Sequence, residues 1–404
     1  MRSSSPPCLA LSLLVACTAQ GDGAADFGEA STADAGDDTG GDSGANGTTT
    51  MPAPGETAGA TDGAASDDDD GSSSAAYSDA TGDAPLPVAD GIWISTDEIA
   101  ALPTEGEAWE SLLEHAMASP GIPNLSDQDQ DDNIEVLARA FVCVRLADDA
   151  MCETVRTAVV AAMGSEDGGR TLALGRELFA YIVAAELVGL SEADDAAFRE
   201  WLAGVVVEEL DGRTLVSTHE DRPNNWGTHA GASRLAAAIY LDDQAAIDRC
   251  ADEFHGWLGA RDVYAEFEYG ELDWQADASA PVGINPVGAM RDGHSIDGVI
   301  PDDQRRAGGF TWPPPQENYV YGALEGALVQ AAVLHRRGYP AFDWEDQALL
   351  RAVEWLHDEA DYPAEGDDTW QPHVVNYFYG TDFPAPIPAA TGKNVAYTDW
   401  THAP

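Results

Sequence analysis

The sequence predicts an all-α domain, a succession of helical hairpins behind a long polar tail, and three observations carry that reading. From residue 97 onward, apolar side chains recur at helical spacing. Strand-like alternation is scarce. Residues 18–85 consist almost wholly of Gly, Ala, Ser, Thr and Asp, a composition that cannot repay the entropy of ordering. Consecutive amphipathic hairpins of this kind suit a helical toroid or a solenoid.

The N-terminus reads as an export signal. Arg2 supplies a small positive region and residues 9–16 a short apolar one. The run Leu14-Val15-Ala16-Cys17 resembles a bacterial lipobox, so residues 1–17 form a lipoprotein signal with Cys17 as the lipidated residue. Acyl chains there would hold the protein to a membrane, each buried CH2 contributing about 0.8 kcal/mol. The membrane is met through that lipid only, and the protein is placed in the periplasm or at the cell surface. Residues 18–85 follow as a disordered acidic linker, and 86–404 as the folded domain.

Within the domain, periodicity predicts helices over 106–118, 133–146, 150–163, 171–190, 194–210, 226–241, 243–259, 318–337 and 344–359. Val320, Leu324, Ala327, Leu328, Ala331 and Leu334 make one apolar stripe, and Ser191 and Asp243 read as helix caps. Cys143 and Cys152 can bond if Leu146 to Ala150 makes a turn. In one continuous helix they would lie about 13 Å apart, too far to bond. Cys250 reads as a buried thiol. The stretch 261–317, rich in Gly, Pro and Asp, is too long for a plain connection and marks a functional insert.

Charge narrows the function. The chain has 72 acidic and 19 basic residues, a net charge of −53, which argues against nucleic acid as partner. The linker 18–85 holds 15 acids and no base, leaving 57 acids and 18 bases in 86–404, so the folded part is itself acidic. Lys393 is the only lysine. Such a surface suits high salt, where repulsion is screened.

Three clusters carry candidate chemistry. In Asn224-Asn225-Trp226-Gly227-Thr228-His229, Asn225 and His229 are four apart on one helix face, a carboxamide to hold a carboxylate beside an imidazole to take a proton. Arg291-Asp292-Gly293-His294 leads to Asp297-Gly298-Val299-Ile300-Pro301 and then Arg305-Arg306, adjacent arginines suited to clamping an anion. Trp312-Pro313-Pro314-Pro315 stiffens the approach to a helix headed by Tyr319 and Tyr321; a phenol beside a guanidinium ionises more readily. Trp226 and Trp312 offer faces for sugar rings. Each cluster also has a plainer reading: a capped helix with a buried His, a salt-bridged arginine pair, an aromatic packing. Asp127, Asp129 and Asp131 fail as a calcium loop, because Asp132 stands where Gly is needed and Ala138 where Glu is needed.

Together the clusters resemble the alginate lyase family of polysaccharide lyases over roughly residues 90–404. The resemblance rests on N-N-W-G at 224–227, on D-G-x-x-P followed by Arg306, on the Tyr-headed helix at 319, and on Gly392-Lys393-Asn394 with Thr398-Asp399-Trp400-Thr401-His402. It implies an (α/α) toroid, an incomplete barrel of helical hairpins, and β-elimination on a uronic-acid polysaccharide without a cofactor or metal. It assigns catalysis to Asn225, Arg306, Tyr319 and His229, with His229 or His294 standing in for the His that relatives carry where this chain has Trp226. Substrate contacts then fall to His294, Arg305, Arg291, Trp226, Trp312 and Tyr321, with Arg213 and Arg222 as further cations of the cleft. Two other functions remain open from sequence: a glycoside hydrolase using carboxylates among Glu268, Glu271, Asp273 and Glu317, and a non-catalytic glycan-binding lipoprotein. The oligomeric state is open as well.

Overall fold

The structure, a computed structural model, describes residues 86–119 and 121–403. All of them fall in one unit, Ser73–Pro404. The expected signal, Cys17 and the linker lie outside the described residues. No helix among these residues is long and apolar enough to cross a membrane.

The domain is all-α. Five helices turn inward and follow one another round a ring: α3 (Asp132–Leu146), α5 (Thr171–Val188), α8 (Asn225–Tyr240), α11 (Tyr319–Arg336) and α13 (Gln371–Tyr379). Outside them pack α1 (Thr96–Ala101), α2 (Glu107–Met117), α4 (Asp149–Ala162), α6 (Glu192–Val205), α7 (Leu215–Asp221), α9 (Gln244–Leu258) and α12 (Trp344–Glu354). The C-terminal α14 (Thr398–Thr401) packs on both α13 and α2 and so closes the ring. Trp400 lies 5.6 Å from Trp109 and 5.9 Å from Phe141, ring centre to ring centre.

The inner helices are apolar nearly all round because both faces are covered. Small residues let them approach closely. A Cβ at Gly175 would stand 3.0 Å from Ala230 N, and one at Gly326 would overlap the Thr228–His229 backbone. Both expected caps form. Ser191 Oγ accepts the Asp194 N–H at 3.2 Å, and Asp243 Oδ1 accepts the Ala246 N–H at 3.0 Å.

Between α3 and α4 the chain turns through Ala147, whose φ of 52° is left-handed. That turn brings Cys143 and Cys152 to a Cα separation of 5.3 Å, and they are bonded. Cys250 is free and buried, and burial pushes its thiol up to about 12.

The helix expected over 344–359 begins differently. Glu345, Asp346 and Gln347 are left-handed (φ 50°, 55° and 58°), and its last turn, Trp355–Glu359, is a π-turn. Arg351 closes round the left-handed turn, donating to the carbonyls of Glu345 at 3.0 Å and Asp346 at 3.1 Å. It also reaches Asp297 at 2.5 Å and the Asn285 carbonyl at 2.8 Å.

Those last contacts help hold the long insert. Residues 259–300 contain only a hairpin, β1 (Met290–Arg291) with β2 (His294–Ser295), turned by Asp292 and Gly293 at positive φ. Buried amides replace helical bonding in this stretch. Asn285 Nδ2 donates to Trp274 O at 2.9 Å, and its Oδ1 accepts from Ala276 N at 2.9 Å. The insert ends in α10 (Pro301–Gln304) and a 3-10 turn over Arg305–Ala307, which deliver two arginines beside the start of α11.

Candidate active site

Asn224 begins the site by capping α8, a residue type suited to that position. Its Oδ1 accepts the Trp226 N–H at 3.2 Å. The next residue, Asn225, has a first-turn N–H with no partner inside the helix. Asp303 of α10 supplies one, through Oδ1 at 3.2 Å. This bond ties the insert to the start of α8. Gly227 cannot carry a side chain, since a Cβ would overlap the Arg222 carbonyl oxygen.

Asn225 is 1% exposed, and its carboxamide Oδ1 has no hydrogen-bond partner among the described residues. It rests against α11 at Gly322, where an added Cβ would lie 3.6 Å from Asn225 Cβ and 3.7 Å from Nδ2. Gly322 is one turn from Tyr319. Tyr319 is 40% exposed, and the Arg306 guanidinium carbon stands 4.0 Å from its ring centre. Glu317 Oε1 accepts the Tyr319 N–H at 3.2 Å. Asn225, Arg306 and Tyr319, widely separated in sequence, therefore line one spot.

Two carboxyls frame it. Burial and the neighbouring Asp302 push Asp303 well above the carboxylate range, against the Asn225 N–H and Arg306. Burial also raises Glu317, opposed by the Tyr319 N–H and Arg306. Burial thus works against negative charge on both carboxyls beside Arg306.

His229 lies one turn deeper, and the structure encloses it completely. Burial, then Arg176, lower its pKa to about 3, so the ring is neutral. Its tautomer follows from Asn394, whose amide has one donor end and one acceptor end. Asn394 Nδ2 donates to Gly175 O at 2.7 Å and Arg176 O at 3.2 Å, which leaves Oδ1 to face His229 Nδ1 at 2.6 Å. Nδ1 must carry the proton, and Nε2 is a bare lone pair 3.9 Å from Glu325 Oε2. A substrate C–H has no route to this nitrogen, so the expected role of His229 as base is corrected by its burial. Spacing of four placed it on the face of Asn225 but could not say how deep.

Other expected contacts spread out. Tyr321 turns inward, donating to Tyr362 O at 2.7 Å, and is 2% exposed. Arg305 is committed to Asp302 Oδ1 at 2.9 Å and to Glu271. These two placements go against the expectation of substrate contact. His294 stacks on Trp312 with ring centres 4.3 Å apart. Arg291 lies over Phe310 at 5.5 Å and donates to Gln275 O at 3.2 Å, so both belong to the wall of the insert. Trp226 is half-buried beneath Arg222, 4.6 Å from its ring centre. Arg213 pairs with Asp221 at 2.9 Å and Glu268 at 3.8 Å. Sequence reasoning missed Asp303, Glu325 and Arg176. Only depth distinguishes them from the many other charges of the chain.

No curated protein matches the chain. Among solved structures, a crystal structure of an alginate lyase from Bacteroides ovatus is similar at 11% identity and a TM-score of 0.45, covering 73% of this chain and 93% of that one. The family model described as alginate lyase matches residues 165–264. That segment runs from α5 through α9 and includes Asn225 and His229, and over it the chain is similar to the alginate lyase family.

Proposed function

We propose that this protein is an exported, lipid-anchored lyase that cleaves a uronic-acid polysaccharide by β-elimination. The observation that supports this best is the Arg306 guanidinium 4.0 Å over the Tyr319 ring, with the Asn225 carboxamide of α8 resting on Gly322, one turn along α11 from Tyr319. A uronate carboxylate seated between Arg306 and Asn225 has its charge spread, which makes the neighbouring C5 proton acidic enough to leave. The Asn225 carboxamide can present either end after a half-turn of its amide.

Tyr319 is the exposed proton-transfer group of the three. As phenolate it takes the C5 proton; the C5–H electron pair becomes the C4=C5 double bond as the C4–O4 bond breaks. The same phenol then returns the proton to O4 of the departing sugar. General acid–base assistance of this kind supplies about 10²–10⁴-fold. Trp226 and Trp312 offer flat faces for flanking rings. Two of the carboxylates that a hydrolase would need are otherwise engaged: Glu268 with Arg213 and Glu271 with Arg305.

The test is a panel of alginate, glucuronan and glycosaminoglycans followed in the ultraviolet, where the new double bond absorbs. Wild type is expected to generate absorbance on at least one polymer, and Tyr319→Phe to lose about 10²-fold or more. New reducing ends without absorbance would turn the reading to a hydrolase; silence on every uronate polymer would end it. For the anchor, Cys17→Ala is expected to move the protein from the membrane to the soluble fraction.

A further inference from the structure

One turn beyond Asn225, where α5 and α11 both close on α8, polar side chains gather round the buried His229. They are Arg176 and Glu177 from α5, Glu325 from α11, and Lys393 and Asn394 from the C-terminal segment. Several buried polar atoms here lack any partner among the described residues: Arg176 Nε, His229 Nε2 and both Glu177 carboxyl oxygens. Buried groups of this kind call for a bound partner.

The charge balance says which kind. Burial, chiefly, pushes Glu177 up to about 9, so it is a neutral acid near pH 7, and burial raises Glu325 as well. His229 is neutral. The cations that remain are Arg176, partly exposed, and Lys393, at the rim with its side chain 25% exposed and 3.3 Å from Asp131. In so acidic a chain, Arg139, Arg199, Arg234, Arg305 and Arg351 are each paired with a carboxylate, yet among the described residues no such pair is made by Arg176. A guanidinium that makes no carboxylate pair among the described residues, beside a neutral Glu177 able to donate a hydrogen bond, fits an incoming anion.

We propose that Arg176, assisted by Lys393, is a second carboxylate-binding position, which takes the uronate next to the one held by Arg306 and Asn225. This rests on the lyase reading of the same groove. The spacing agrees with it: Asn394 bonds the Arg176 carbonyl and faces His229, which is four residues or about 6 Å along α8 from Asn225, comparable with one ring of a sugar chain. A polymer bearing one carboxylate per ring would thus meet a cation at adjacent rings.

The experiment is calorimetric titration of short alginate and glucuronan oligomers, with neutral cello-oligomers as control, into full-length Tyr319→Phe protein, so that binding is read without turnover. Adding Arg176→Ala is expected to weaken uronate binding about 10–100-fold, the loss of one charge-assisted contact. Arg176→Lys should recover part of it, and neutral oligomers should be unaffected. Unchanged uronate affinity in a variant that melts like its parent would overturn the proposal, as would an equal loss for the neutral oligomers. If Arg176→Ala does not fold, Lys393→Met carries the test: a drop of about 3–10-fold is expected, and none refutes it. Ultraviolet turnover by wild type judges the lyase reading separately, so the two can fail independently.

Discussion

Asn225 is held from three sides, by the Asn224 cap before it, Asp303 on its N–H and Gly322 against its amide. Asn225→Ala is therefore expected to fold normally and lose about 10²–10³-fold in kcat, as for other preorganised donors, read by ultraviolet turnover beside a thermal melt. Buried acids add a pH signature. Glu177 and Asp368 are pushed up to about 9, chiefly by burial. The folded chain then keeps protons that the unfolded chain gives up above its ordinary carboxylate pKa. The stability they confer is complete below that pKa and is lost as pH climbs toward 9. Glu253 acts oppositely: burial works against its charge, but His219, Arg234 and Arg249 hold it at about 2, so its contribution is lost in strong acid. Tm should peak near pH 5 and fall toward pH 9, and Glu177→Gln or Asp368→Asn should raise it increasingly from about pH 5 to pH 9; a slope unchanged in both variants would contradict this. At this scale the sequence named Asn225, Arg306 and Tyr319 by residue type and order. It misjudged His229 and overlooked Arg176, because depth depends on which neighbouring helix covers a face.

The helices were legible where the apolar stripe was long. The bounds expected for α2, α3, α4, α5, α8, α9 and α11 fall within two residues of those observed, and helical periodicity is the reason. The seven residues of α7, Leu-Val-Ser-Thr-His-Glu-Asp, show no such stripe and escaped notice, as did α13. The left-handed start of α12 was invisible too, since nothing in Glu345-Asp346-Gln347 asks for positive φ; Arg351 and its four oxygen partners impose it. Helix crossings give two predictions. Gly326→Ala forces α11 away from α8, so it should lower unfolding free energy by about 1–3 kcal/mol in a denaturant titration and reduce kcat by parting Asn225 from Tyr319. Replacing Cys143 and Cys152 together by Ala opens a short loop and should lower stability by about 2–3 kcal/mol, measured in the same way.

Charge is the property of the whole molecule. A folded domain with 57 acids against 18 bases repels itself and any polyanion that approaches. Salt shortens that repulsion from about 30 Å at 0.01 M to about 3 Å at 1 M. Raising NaCl across this range should lift Tm, and it should first lower KM on a uronate polymer before weakening the groove's own ion contacts. A KM that only rises with salt would mean that steering by a local positive field outweighs the global charge.

The ring is finished by its C-terminal segment: Asn394 fixes the His229 tautomer, the Lys393 N–H pins Glu325, and Trp400 seals against Trp109 and Phe141. A ribosome must therefore polymerise nearly all of the described chain before the floor of the groove exists. Growing chains and fragments truncated ahead of residue 393 carry no finished pocket, and competence arrives in one step once residues 393–400 have been added.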